Sequence, residues 1–172
     1  RRYVFHGTWR APFRLAEGVT AMHAIEAVAT RAQRLAPVVC EGLQLENLNG
    51  FLALTPLGCE AALLALGAAV VEATNPLRAP LTEDERARRR PESLSPRQRE
   101  LLDRWGYPHV MEEFLFHLTL TDRMADPAPV AGELEAHFAP VLPRPFVIED
   151  LCLFGEDAAG RFHLLHRYAL SG

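Results

Sequence analysis

Lysine is missing from this chain: all 18 of its basic residues are Arg. Chemistry that needs an ε-amino group, whether a Schiff base, a pyridoxal phosphate linkage or the lysine of a phosphate-binding P-loop, is therefore not carried by these residues. Cysteine is scarce as well. Cys40, Cys59 and Cys152 sit singly in apolar segments with no Cys-x-x-Cys, a pattern that predicts reduced core thiols in a cytoplasmic protein. No apolar run approaches the ~18 residues of a membrane span, the longest being Ala61 to Val71, so no membrane partner is expected. A net charge of -4 gives no general footprint for a nucleic-acid polymer. A Ser-His-Asp triad is not expected either, because Ser93, Ser95 and Ser171 fall in a linker, a helix cap and a terminus. The chain opens on Arg1 directly before a strand, with no Met and no leader pattern, and is expected to begin inside a longer protein.

What is present is enough apolar residue, 49% of 172, to bury a core as one domain or two small lobes. Two stretches organise it. Tyr3-Val4-Phe5-His6-Gly7-Thr8-Trp9-Arg10 is echoed by Glu113-Phe114-Leu115-Phe116-His117-Leu118-Thr119-Leu120-Thr121. Each reads as a strand carrying His-x-Thr. Side chains alternate along a strand, so His6, Thr8 and Arg10 share one face, opposite Phe5, Gly7 and Trp9. His117, Thr119 and Thr121 likewise share a face, opposite Phe114, Phe116, Leu118 and Leu120.

Between and after these strands the same order recurs. Thr20 caps a predicted helix that runs to Ala36, where Pro37 ends it. Val38 to Leu45 and Phe51 to Thr55 read as a hairpin across residues 46–50, whose Asn and Gly suit positive φ. An almost wholly apolar helix from Gly58 to about Ala73 follows. Residues 75–94 turn to Pro, Arg and Glu and read as a solvated linker, ahead of a helix opened by Ser95-Pro96 and closed by Gly106. Beyond the His117 strand come a helix from about Val130 to Phe138 and a hairpin of Phe146 to Phe154 with Arg161 to Leu170. Strand, helix, hairpin thus occurs twice. The expected fold is α+β: a bilobal, duplicated βαββ-like unit with two antiparallel sheets around a central cleft and helices outside. Lobe one covers about residues 1–74, the connection 75–111 and lobe two about 112–172.

Alone, His-x-Thr is a weak signal. Two copies at the same place in a repeated unit carry more weight, because facing imidazoles can remove one proton and deliver another near their unperturbed pKa of ~6.5. Opening a cyclic phosphate needs both events, with Thr8 and Thr119 donating to the non-bridging oxygens. The scheme requires no metal and no cofactor, and neither motif has an Asp, Glu or Cys at ligand spacing. His23, His109, His137, His163 and His166 read as structural or exposed.

These residues resemble the two-histidine phosphoesterase superfamily. The runs His6 to Leu15, Leu94-Ser95-Pro96-Arg97-Gln98 through Trp105-Gly106-Tyr107-Pro108, and Glu113 to Thr121 are more closely similar to its branch of phosphonate metabolism proteins, encoded beside carbon-phosphorus lyase genes. The resemblance implies a bilobal α+β fold with His6 and His117 as the acid/base pair and Thr8 and Thr119 as phosphate ligands, joined by Arg10 at a position usually basic. It also implies a further N-terminal segment. The expected activity is that of a metal-independent cyclic phosphodiesterase acting on a small cyclic phosphate, such as a phosphoribosyl cyclic phosphate from phosphonate breakdown. A phosphometabolite-binding module without catalysis and an RNA-end 2′,3′-cyclic phosphodiesterase are the alternatives, the RNA end being the less expected partner.

Overall fold

A computed structural model describes residues 5–172. The first part of the expected opening strand, Arg1 to Val4, lies outside the described residues. Beyond it, helix α1 is Ala21–Ala32. The Thr20 backbone N–H donates to His23 Nδ1 at 3.0 Å, satisfying one of the orphan donors at the helix start. The helix stops four residues earlier than Pro37 required, because Gln33, Arg34 and Leu35 close back onto Ala29, Arg31 and Ala32.

Strands β1 (Val38–Cys40), β2 (Gly42–Leu48) and β3 (Phe51–Leu57) follow. The connection between β2 and β3 is tighter than the five residues expected. Asn49 (φ 54°) and Gly50 (φ 99°) make a two-residue turn, with Gly50 N–H donating to Asn47 Oδ1 at 2.8 Å. Positive φ at both central residues matches the right-handed twist of the flanking strands. This turn sets the register Leu48↔Phe51 through Gly42↔Leu57. Carried outward by two residues, the same register brings Cys40 opposite Cys59. They form a disulfide with a Cα–Cα distance of 5.1 Å. The expectation of three reduced thiols is thereby corrected, and Cys152 is the free one.

Helix α2 (Glu60–Thr74) buries Leu63, Leu66, Val70 and Val71, as its apolar sequence requires. The connection after it carries two helices. Helix α3 (Glu83–Ala87) is boxed by Thr82 and Glu85, and α4 (Pro96–Trp105) starts where Ser95 Oγ accepts from Gln98 N at 3.1 Å. Leu101 and Leu102 on α4 are almost wholly buried, and Leu101 forms a small second core with Val71 and Val110. Gly106, at φ 77°, ends α4 in the left-handed conformation that favours glycine.

Strand β4 is only Leu118–Thr119, followed by α5 (Ala128–Phe138), β5 (Phe146–Ile148), β6 (Asp150–Glu156) and β7 (Phe162–Ala169). The fold is α+β with antiparallel sheets, ordered β2-β3-β4, β1-β5 and β6-β7. The two halves interleave. Val38 pairs with Ile148 and Cys40 with Phe146, while β4 from the second half completes the sheet of β2 and β3 from the first. Helix α1 packs on β6 and β7, and α5 packs on β2, so each helix covers the other half's hairpin. One core results, drawing Val28, Leu43, Leu54 and Leu63 together with Leu118, Ile148 and Leu151. No helix among the described residues is long and apolar enough to cross a membrane.

Two outcomes follow from these ties. Closing a loop with a sequence separation of 19 restricts the unfolded chain, so Cys40→Ser with Cys59→Ser should lower unfolding free energy by ~2–4 kcal/mol in denaturant titration. Arg14 donates Nε and Nη2 to Glu85 at 2.8 and 2.9 Å, and with the Thr82 backbone it holds that carboxyl down at about 2. Its stabilising effect is present above the unfolded value of ~4.3 and is lost as pH falls through about 2. An NMR titration should show Glu85 with that low midpoint, returning towards the ordinary value in Arg14→Gln.

Candidate functional site: a sheet face shared by two His-x-Thr segments

The two motif segments meet side by side. Gly7 makes an isolated antiparallel bridge with Leu118, and Leu118–Thr119 in turn pairs with Leu54 and Ala53 of β3. In place of a full opening strand, the first motif contributes this single bridge among the described residues. Residues opposed across a bridge share a sheet face, and their neighbours share the other. Gly7 and Leu118 face the core, so His6, Thr8, His117 and Thr119 all belong to the opposite face. His6 and His117 are half-buried there, and Thr8 and Thr119 are exposed.

Aromatic packing below explains how the segments come so close. Trp9 lies 5.5 Å from Phe114 and 4.6 Å from Phe116, ring centre to ring centre, joining the two apolar faces read from the sequence. A Cβ placed on Gly7 would fall within the Phe116 ring. Glycine is required at this bridge by space, not by backbone angle.

On the polar face, His6 sits 6.1 Å from the Phe154 ring and His117 5.6 Å from the Phe51 ring. His117 Nδ1 is 2.9 Å from the Leu115 carbonyl. A carbonyl only accepts, so the proton is on Nδ1 and Nε2 is left to meet a ligand. Thr121, the third hydroxyl expected on this face, accepts from Leu52 N at 3.0 Å and so serves the end of the sheet ladder.

Glu46 was not singled out by the sequence reading. It is opposite Ala53, which is opposite Thr119, so its carboxylate shares the polar face. It accepts from Thr55 Oγ1 at 2.8 Å and from Gln44 Nε2 at 3.0 Å. The signal was available: the Asn49-Gly50 turn fixes which residues of β2 and β3 oppose each other, and the five-residue loop assumed from sequence obscured it.

Arg10 is directed elsewhere, with Nη2 donating to Asn75 Oδ1 at 3.3 Å. The remaining histidines have local partners. His23 caps α1, His163 Nε2 is 2.8 Å from Asp157, and His109, His137 and His166 pack on Tyr107, Phe138 and Tyr168. Among the described residues no three His, Cys, Asp or Glu side chains gather where they could hold a metal ion. A broad depression of about 610 Å³, lined by Val19, His23, Glu26, Arg31 and Leu77 among others, involves neither motif.

Fold and site together define an α+β protein that presents paired imidazoles and hydroxyls on one sheet face. Residues 8–163 match a family described as "Protein of unknown function (DUF1045)", and the chain belongs to that family. It is 37% identical over 166 residues to a protein of Janthinobacterium sp. (strain Marseille) named "Ribose 1,5-bisphosphate phosphokinase PhnN", the match covering 93% of this chain and 37% of that protein. A protein of the same name from Laribacter hongkongensis (strain HLHK9) is 39% identical over 163 residues, covering 92% of this chain and 37% of that protein. The chain thus spans little more than a third of the length of these curated relatives. Their names are those of a phosphokinase and overturn the expectation of a cyclic phosphodiesterase: a kinase transfers a phosphoryl group to an acceptor, whereas that activity opens a phosphate ring with water.

The Gly7–Phe116 contact is directly testable. Gly7→Ala overfills the bridge and should lower unfolding free energy by ~1–3 kcal/mol in chemical denaturation. An unchanged midpoint would mean that Phe116 has room to move aside.

Proposed function

We propose that this chain holds a phosphorylated ribose for an enzyme of phosphonate metabolism that phosphorylates it, with His6, Thr8, His117 and Thr119 as the phosphate-holding groups. The observation that carries the reading is the Gly7–Leu118 bridge, which gathers both His-x-Thr motifs on one face. Threonine hydroxyls donate to phosphate oxygens, as does His117 Nε2 once the ring carries both protons, and such bonds strengthen when either partner is charged. The relatives' name supplies the ligand class, a ribose bisphosphate. A phosphoryl donor of the P-loop kind needs a lysine over its phosphates, and these residues include none. The role assigned to the chain is therefore on the acceptor side, binding and orienting the sugar phosphate. From the two-histidine resemblance we carry over only the phosphate-holding role of the motifs.

We read the architecture behind this site as a duplicated bilobal unit, with lobes of about residues 1–74 and 112–172 joined by 75–111. Support comes from the repeated order of strand, helix and hairpin and from the reciprocal packing of α1 on β6 and β7 and of α5 on β2. A sugar phosphate of this kind is an internal metabolite, and on that ground we read the chain as cytoplasmic. A buried disulfide such as Cys40–Cys59 is uncommon in that compartment.

Calorimetry with ribose 1,5-bisphosphate tests the proposal. The wild-type chain should bind it, and His6→Gln and His117→Gln should each weaken binding about tenfold or more, the loss of one charge-assisted hydrogen bond. No binding by the wild type, or binding by both variants as tight as the wild type's, would remove the proposal.

A further inference from the structure

We propose that Arg10 and Arg78, meeting at Asn75, form a second binding site for a phosphate-type oxyanion, apart from the His-x-Thr face. Arg10 leaves the first motif and reaches the single 3₁₀ turn Asn75–Leu77 at the end of α2. There its Nη2 donates to Asn75 Oδ1 at 3.3 Å, while Arg78 Nε donates to the same oxygen at 3.4 Å. Two guanidiniums thus share one neutral amide oxygen over long bonds. Arg78 Nη1 adds a bond of 3.0 Å to the Ala79 carbonyl.

What the pair lacks is negative charge. Neither guanidinium has a carboxylate partner among the described residues. Arg10 Nη1 is buried with no acceptor among the described residues. Burial, with Arg78 nearby, lowers the Arg10 pKa to about 10. A half-buried cation beside another cation is costly, and proteins that keep such an arrangement normally balance it with an anion or use it. The surroundings shape the site. Phe13 lies under Arg10, with the guanidinium carbon 5.4 Å from the ring centre, and Gly106 lets the Arg78 guanidinium lie against the end of α4, where an added Cβ would be 2.9 Å from it. A guanidinium presents two parallel N–H groups, a fork that fits two oxygens of a phosphate or a phosphate monoester. The site depends on neither histidine, so it does not stand or fall with the ribose phosphate reading.

Thermal unfolding in inorganic phosphate, against chloride at equal ionic strength, reads this site. At a hundredfold excess over its Kd, phosphate should raise the wild-type midpoint by about 5–10 °C. In a His6→Gln/His117→Gln background, which takes away the phosphate-holding imidazoles, Arg78→Gln and Arg10→Gln should abolish that rise, and Arg167→Gln, which removes an arginine paired with Asp150, should keep it. Should Arg10→Gln not fold, Arg78→Gln decides alone. A double variant, His6→Gln with His117→Gln, should also keep the rise. Ribose 5-phosphate measured alongside identifies the source of the anion: the tighter of the two ligands is the natural one, and either supports the site. Equal midpoints in phosphate and chloride, loss of the rise in the histidine double variant, or a rise that survives Arg78→Gln in that double variant would each overturn the proposal.

Discussion

The antiparallel bridge between Gly7 and Leu118 is the contact on which the rest depends. It joins the described start of the chain to β4, and β4 in turn closes the sheet of β2 and β3. A bridge this short has little ladder energy of its own. It is held from below, where Trp9 packs on Phe114 and Phe116 and the bare Cα of Gly7 admits the Phe116 ring. Apolar burial beneath the sheet therefore sets the geometry of the polar groups above it.

The same logic applies to the halves of the molecule. Each hairpin would expose one apolar face if left with its own helix, and instead α1 covers β6 and β7 while α5 covers β2. Because β1 also pairs with β5, the halves cannot separate without losing core contacts from both. The disulfide adds a covalent tie where β1 meets the start of α2. A site at the seam of such a structure is held by elements from both halves, which suits groups that must stay in fixed relation to one another.

Charge is distributed unevenly around this frame. Arg14, Arg86, Arg97, Arg161 and Arg167 are paired with carboxylates at the surface, where such pairs add little stability. Arg10 and Arg78 stand out because they are half-buried and share only Asn75. The sheet face carries a carboxylate instead, that of Glu46, held by Thr55 and Gln44.

Local physics made much of this legible in the sequence. Helical spacing and the Ser95-Pro96 and Gly106 signals located the helices, alternation separated the polar from the apolar face of each motif, and the antiparallel α+β class followed from the repeated order of elements. The turn at Asn49-Gly50 was readable too, and taken as two residues it would have yielded both the Cys40–Cys59 pair and the position of Glu46. Other features had no local signal. That β4 pairs with β3 and Gly7, that each helix crosses to the other hairpin, that α4 docks through Leu101 and Leu102, and that Arg10 turns towards Asn75 were decided by which apolar surfaces bury one another. Such choices depend on the whole chain at once, since sequence spacing fixes the face a residue takes and leaves open what that face will meet.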